Sequence, residues 1–209
     1  MTLPNVITLA RIAMCPVIFM MALSPTLEMR FWAFVLFVVA ALSDIWDGYL
    51  ARRHGLITDM GKLLDPFADK LLLAASYIPI YIVSHRGAES DALPWWGTMP
   101  LWVIVVIFGR EIFITLFRSF AARRGVVIAA GVAGKRKALF QALFAAGALL
   151  WYPLAALADG RSWTGPAWTA WSTFHGAFVA ITLAIAVVLT IYSLIDYLWS
   201  YRRLVGIRD

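Results

Sequence analysis

The sequence predicts an all-α polytopic membrane protein with six transmembrane helices and a polar cleft that faces the cytoplasm. Hydrophobic residues make up 62% of the 209 residues and charged residues 14%, whereas soluble domains average about 45–50% and about 25%. Apolar runs long enough to cross a bilayer, for which a helix needs about 20 residues, recur along the whole chain. We therefore predict a single transmembrane domain over residues 1–209.

Short polar breaks such as SPTLEMR, SHRGAESDALPWWGT and DGRSWTGP separate these apolar runs. The predicted spans cover about 5–24, 31–52, 66–84, 99–122, 138–158 and 174–200. An even number of spans places both termini on the same side of the membrane. The one cysteine, Cys15, excludes an intrachain disulfide.

Basic residues fall mainly on one side of the predicted spans, and this distribution sets the orientation. Arg30, Arg86 and Arg161 fall on one side. The more basic side holds Arg52, Arg53, Lys62, Arg123, Arg124, Lys135, Arg136, Lys137, Arg202, Arg203 and Arg208. We expect that side to be cytoplasmic, with both termini and the cleft, in a bacterial-type inner membrane. The opposite interface would collect Trp95, Trp96, Trp102, Trp151, Trp163, Trp168 and Trp171.

The excess of basic over acidic residues, 18 against 12, suits anionic lipids or phosphorylated substrates in a membrane protein. We therefore expect membrane lipids as partners, and no nucleic acid.

Four aspartates lie at the cytoplasmic edges of the second and third spans. Asp44 and Asp47 are three residues apart, and Asp65 and Asp69 are four apart, so each pair shares a helix face. Because the connecting loop is short, we expect the two helices to be antiparallel neighbours with the four carboxylates across one cleft. Clustered carboxylates need cations to stay ionised. Their oxygens suit Mg²⁺, Mn²⁺ or Ca²⁺, and four of them can bridge two ions.

Three other interpretations of these acids remain open. Asp65 precedes Pro66 and can be the N-cap of a helix that begins there. Asp47 and Arg52 can form a structural ion pair. The acids can also line an ion or proton pathway, although all four lie at one depth and the outer halves of these spans are plain hydrocarbon.

The register of this segment resembles the signature of the CDP-alcohol phosphotransferase family. The pattern D-x-x-D-G-x-x-A-R, eight residues, then G-x-x-x-D-x-x-x-D is filled by Asp44, Asp47, Gly48, Ala51, Arg52, Gly61, Asp65 and Asp69. The resemblance implies a six-helix membrane enzyme that transfers a phosphatidyl group from a CDP-linked lipid to an alcohol and releases CMP.

The same resemblance implies roles for the motif residues. Asp44, Asp47 and Asp65 would be ligands of Mg²⁺ or Mn²⁺, with two ions in the site, and Asp69 would be both ligand and general base. The CDP group would contact the remaining positions of the motif, Gly48, Ala51, Arg52 and Gly61.

Basic residues near the end of the fourth span are candidates for binding a phosphorylated acceptor. Arg110 and Arg118 lie in GREIFITLFRSF, and Lys135 is the first lysine of GKRK. Arginine suits phosphate because its planar fork makes paired hydrogen bonds. Alternatively, Glu111 pairs with Arg118, and the other cations follow the positive-inside rule.

Within the family, further segments resemble the phosphatidylglycerophosphate synthases: LPNVITLARI, with Asn5, Thr8 and Arg11, then LLDPFADKLL, GREI and GK-x-K. Their substrates are CDP-diacylglycerol and sn-glycerol 3-phosphate, and a homodimer is expected from the family. Asn5 and Thr8 would contact the nucleotide, or else cap the first helix. Another member, a cardiolipin or phosphatidylinositol phosphate synthase, is the alternative within the family, and an ion or proton transporter is the alternative outside it.

Overall fold

The described part of a computed structural model forms six long helices: α1 Leu3–Leu23, α2 Leu27–His54, α3 Asp59–Ser84, α4 Leu101–Arg123, α5 Val132–Gly160 and α6 Pro166–Ser200. The structure describes residues 2–54, 58–124 and 132–201, without the side chains of 47–52, 54, 59, 62, 132 and 133. A 3₁₀ turn, Glu89–Asp91, lies between α3 and α4. No strand occurs in the described ranges, apart from an isolated bridge between Leu93 and Gly97. The all-α prediction is confirmed.

Five of the helices are long and apolar enough to cross a membrane: α1, α2 through Trp46, α3 from Leu63, α5 from Gly134, and α6. Helix α4 has 23 residues, about 35 Å at 1.5 Å per residue, but charged residues interrupt its apolar sequence. The chain is therefore a polytopic membrane protein, as predicted. That α4 also crosses the membrane stays a prediction.

Helix α3 begins seven residues earlier than the predicted span, at Asp59. Its N-cap is Thr58, whose Oγ1 accepts a hydrogen bond of 3.0 Å from the Gly61 amide. Asp65 consequently lies inside the helix, and its interpretation as an N-cap before Pro66 is wrong. The helix can begin before the apolar run because the Thr58 side chain satisfies a backbone amide of its first turn.

Helix α1 packs along both α2 and α3, whereas α2 and α3 touch each other little. The prediction that α2 and α3 face each other directly is thus wrong, because α1 packs against both of them. This arrangement places side chains of α1 among the carboxylates of the two neighbouring helices.

The buried core takes side chains from all six helices. The rings of Tyr77 and Phe144 pack at 5.3 Å between centroids, and the Tyr77 hydroxyl donates to the Gln141 carbonyl at 3.3 Å. A side chain at Gly147 would have its Cβ 3.0 Å from the Phe178 ring. Glycine at this position therefore lets α5 and α6, the most extensively packed pair, approach closely.

The two ends of the helix bundle differ in composition. One end, here called the aromatic end, joins α1 to α2, α3 to α4 and α5 to α6, and its rings pack in a chain of Trp151, Trp163, Trp168, Trp171 and His175. The other, called the acidic end, contains the start of α1, the end of α2 and the start of α3. The predicted clustering of tryptophans is confirmed for these members.

Candidate active site

A stripe of polar side chains follows one face of α1 at the acidic end. Asn5, Thr8 and Arg11 recur every third residue, so they lie on the same side of the helix. They are 7%, 1% and 0% exposed. Buried polar groups in an apolar helix require partners, and each of these side chains finds one on a neighbouring helix.

Two members of the stripe contact the first turns of α3. The Thr58 hydroxyl donates to Asn5 Oδ1, and the Thr8 hydroxyl donates to Asp65 Oδ1, each at 3.0 Å. Gly61 makes this approach possible, since a Cβ there would lie 3.0 Å from Asn5 Oδ1. These contacts fix the register between α1 and α3 and orient the Asp65 carboxylate.

Arg11 joins the acids of α2 and α3. Its Nη1 lies 2.5 Å from Asp44 Oδ1 and 3.6 Å from Asp69 Oδ1. The Arg11 side chain is fully buried, whereas those of Asp44 and Asp69 are 45% and 60% exposed. The guanidinium thus lies on the buried side of the two carboxylates, whose side chains stay partly accessible from outside.

The structure brings together three of the four predicted acids, Asp44, Asp65 and Asp69, around the α1 stripe. The fourth, Asp47, lies outside the described side chains, as do the predicted nucleotide contacts Gly48, Ala51 and Arg52. Among the described side chains, no three acids converge tightly enough to define a metal site. The donor chemistry nonetheless suits a hard divalent cation, and Arg11 shows that acids of two helices share one positive charge.

A second polar cluster, of basic character, lies between α4, α5 and α6. Arg110 and Lys137 both pair with Glu111 Oε1, the arginine through Nη1 at 3.2 Å. Arg110 Nε also donates to Ser193 Oγ at 3.2 Å. One turn deeper, Gln141 Nε2 donates to Thr190 Oγ1 at 3.3 Å. The ion-paired side chains are 5–18% exposed, so this charge is held inside the bundle.

The three predicted acceptor-binding cations occupy different positions around this cluster. Arg110 belongs to it, whereas Arg118 and Lys135 are exposed. The alternative pairing of Glu111 with Arg118 is wrong, because Glu111 pairs with Arg110 and Lys137 instead. The charge of Asp69 also acts on Lys137, so the basic and acidic clusters lie within electrostatic range of each other.

Sequence reasoning did not assign a site role to Arg11 or Lys137. Arg11 is a charge inside an otherwise apolar run, which is a functional signal at this depth. Lys137 is the second lysine of the GK-x-K segment, which separates it from Arg136 but not from Lys135, and only the rotation of α5 distinguishes the two lysines. Lys137 is 4% exposed, whereas its two neighbours are exposed.

Comparison with known proteins identifies the family. The family model described as CDP-alcohol phosphatidyltransferase matches residues 1–192. The chain belongs to the CDP-alcohol phosphatidyltransferase family. The resemblance drawn from the spacing of the aspartates is confirmed, and the chain is a membrane-bound transferase of phospholipid biosynthesis. The ion or proton transporter alternative is not supported.

Several curated relatives extend over most of this CDP-alcohol phosphatidyltransferase. A CDP-diacylglycerol–glycerol-3-phosphate 3-phosphatidyltransferase of Bacillus subtilis (strain 168) is 37% identical over 164 residues, which are 73% of this chain and 78% of the relative. A "Probable phosphatidylglycerophosphate synthase" of Mycobacterium tuberculosis (strain CDC 1551 / Oshkosh) is 33% identical over 98% of this chain and 83% of the relative. An Escherichia coli (strain K12) protein with the same name as the Bacillus relative is 31% identical, over 96% and 94%.

Proposed function

We propose that this protein transfers the phosphatidyl group of CDP-diacylglycerol to sn-glycerol 3-phosphate, giving phosphatidylglycerophosphate and CMP. The observation that carries the proposal is the juxtaposition of accessible carboxylates on α2 and α3 with the buried basic cluster around Lys137. The first cluster suits metal-assisted phosphoryl chemistry, and the second suits a phosphorylated acceptor. The names of the relatives support the same pair of substrates.

Enzymes of this family generally use divalent metal ions. We assign the ligands to Asp44, Asp47, Asp65 and Asp69, and the ions to Mg²⁺ or Mn²⁺, two per site, because carboxylate oxygens are the donors these cations prefer. Bound ions supply charge stabilisation to the attacking and leaving oxygens. Asp65 is held for this role by Thr8, and Asp44 by Arg11.

Asp69 is the general base in this proposal. It removes the proton of the acceptor hydroxyl as that oxygen attacks the phosphatidyl phosphorus, and the bond from this phosphorus to the oxygen of the CMP phosphate breaks. Arg11 lies on the buried side of the Asp69 carboxylate, and more than half of the Asp69 side chain is exposed. A base placed within hydrogen-bond reach of its proton contributes about 10²–10⁴-fold to the rate.

The predicted CDP-binding residues divide into two groups. Asn5, Thr8 and Gly61 take part in the contact between α1 and α3 described above. We assign them to shaping the nucleotide site through that packing, and we keep Gly48, Ala51 and Arg52 as its predicted direct contacts.

The acceptor phosphate is proposed to bind at the basic cluster. Arg110, Arg118 and Lys135 are the cations predicted from the sequence, and Lys137 joins them because it is buried beside Arg110 and near Asp69. A phosphomonoester carries up to two negative charges and can replace Glu111 as the partner of these cations. Its hydroxyl would then lie on the side of Asp69.

We further propose that both termini and the cleft face the cytoplasm, where the water-soluble substrate and CMP are exchanged. The positive-inside distribution of arginine and lysine supports this orientation. A homodimer is the assembly expected from the family.

The acceptor defines the proposal, so the test is a panel of acceptors. Purified protein is incubated with CDP-diacylglycerol and Mg²⁺ or Mn²⁺, together with sn-glycerol 3-phosphate, phosphatidylglycerol, inositol phosphate or no acceptor. We expect lipid product, identified by mass spectrometry, with sn-glycerol 3-phosphate, and none after chelation of the metal. Product with phosphatidylglycerol or inositol phosphate, and none with sn-glycerol 3-phosphate, would overturn the assignment.

A further inference from the structure

Arg11 is a charged residue enclosed by an apolar helix bundle. Its side chain is fully buried, and a buried guanidinium is stable only when it is paired and hydrogen-bonded. Its recorded partners belong to two different helices, with Asp44 on α2 at 2.5 Å and Asp69 on α3 at 3.6 Å. A structural ion pair needs one carboxylate, whereas this arginine is shared between two.

The distance between Asp44 and Asp69 depends on α1, because α2 and α3 touch each other little. Thr8 and Asn5 fix α1 against α3 through Asp65 and Thr58. Among the described side chains, Arg11 is the member of the α1 stripe that reaches the acid on α2. Arg11 is therefore a side-chain link between the two carboxylates.

We infer that Arg11 is a positioning residue that holds Asp44 and Asp69 together and offsets their mutual repulsion before a divalent ion binds. The inference rests on the metal binding in the proposed function, but it does not depend on the acceptor. A bound ion also compensates the carboxylates. The contribution of Arg11 to stability is consequently largest in the metal-free protein and smaller in the metal-bound protein.

Arg30 provides a matched control at the aromatic end. It is also buried in its helix, and its Nη1 lies 2.5 Å from Asp91 Oδ1, with both side chains less than 10% exposed. Asp91 is the one acid recorded within ion-pair distance of Arg30 in the described residues. The contribution of Arg30 to stability should therefore not depend on a bound divalent ion.

The test compares thermal unfolding of the full chain in detergent micelles, followed by tryptophan fluorescence, in chelator and across a Mn²⁺ titration. The wild type should gain stability with Mn²⁺ by mass action. Arg11→Gln should lower the metal-free Tm by about 5–10 °C, as expected for a broken buried ion pair in a chain of this size. Saturating Mn²⁺ should then restore at least half of that loss. Arg30→Gln should show the same loss with and without Mn²⁺.

Arg11→Lys supplies a second variant in case Arg11→Gln does not fold. It keeps the charge but not the planar guanidinium whose Nη1 lies near both acids, so we expect a smaller loss of Tm that Mn²⁺ also reduces. A loss of Tm in both Arg11 variants that is unaffected by Mn²⁺, or no loss in either, would overturn the inference alone. Absence of any Mn²⁺ effect on the wild type would overturn the metal site as well. The acceptor assignment is measured by product identity and can fail separately.

Discussion

The two ends of the bundle contain the same kind of ion pair in opposite surroundings. At the aromatic end Arg30 and Asp91 meet at 2.5 Å, and their side chains are 7% and 8% exposed. At the acidic end Arg11 and Asp44 meet at the same distance, but the arginine is fully buried and the carboxylate is 45% exposed. We call Arg30–Asp91 the closed pair, because both side chains are buried. We call Arg11–Asp44 the open pair, because its carboxylate is exposed.

In the closed pair, each of the three guanidinium nitrogens of Arg30 has a hydrogen-bond partner. Arg30 Nε donates to the Ser24 carbonyl at 2.8 Å, and Nη1 and Nη2 approach the two oxygens of Asp91 at 2.5 and 3.4 Å. Its guanidinium also lies 5.8 Å from the Tyr152 ring centroid. In the open pair the accessible oxygens can still accept a ligand. The comparison indicates that exposure of the partner, more than the ion pair itself, separates a structural charge from a functional one.

The largest effect should come from the open end. We expect Asp69→Asn to reduce kcat by about 10²–10⁴-fold, because the amide cannot accept the proton of the acceptor hydroxyl. The Tm should change little, since this side chain is 60% exposed. Turnover is measured as CMP release at saturating substrates and metal. Turnover within threefold of the wild type would show that Asp69 is not the base.

At the closed end, Asp91→Asn should destabilise the protein without altering its chemistry. Removal of one partner leaves Arg30 buried and uncompensated, which costs about 3–5 kcal/mol of unfolding free energy. Denaturant unfolding in micelles measures this loss, and activity per folded molecule should match the wild type. A specific activity reduced more than the folded fraction would mean that the aromatic end takes part in turnover.

The basic cluster offers a comparison between neighbouring lysines. Lys137→Gln should raise KM for sn-glycerol 3-phosphate by about 10–100-fold, the equivalent of one lost charge-assisted hydrogen bond. Lys135→Gln should raise it less, because Lys135 is exposed and screened by solvent and salt. Initial rates at varied acceptor concentration decide the order. A larger effect of Lys135→Gln would move the acceptor phosphate out of the buried cluster.

The smallest effect concerns the contact between α1 and α3. Gly61→Ala should lower the unfolding free energy by about 1 kcal/mol, because its Cβ would lie 3.0 Å from Asn5 Oδ1 and 3.2 Å from Thr58 Oγ1. Gly109→Ala, inside α4 with no heavy atom within 4 Å of the new Cβ, is the matched control and should be neutral or stabilising. Equal effects of the two substitutions would show that the Asn5–Thr58 contact does not constrain Gly61.

Much of the architecture could be predicted from hydrophobic runs, because the bilayer demands long apolar helices. The starts of α3 and α6 could not be predicted from hydrophobic runs, because both helices begin with polar or weakly apolar turns. Thr58 caps the polar first turn of α3, and Pro166 begins α6 eight residues before the predicted span. The sequence also did not predict which helices pack against each other. Periodicity shows which face of α1 is polar, but it does not show that this face lies between α2 and α3.

The candidate site shows the same division. The aspartates were identifiable because acids at the edge of an apolar span are costly and their spacing matches a family signature. Arg11 was visible as a charge, but its two partners depend on tertiary packing. Lys137 could not be separated from Lys135 by sequence, because burial of a side chain depends on the rotation of α5 against α4 and α6.

The most direct test of the central claim is metal-dependent CMP release from CDP-diacylglycerol on addition of sn-glycerol 3-phosphate, measured in the wild type, Asp69→Asn and Asp91→Asn. We predict that release requires both metal and acceptor, proceeds equally per folded molecule in the wild type and Asp91→Asn, and falls by at least 10²-fold in Asp69→Asn. Release that persists in Asp69→Asn or in the presence of chelator would contradict the assignment of the acidic end as the catalytic site.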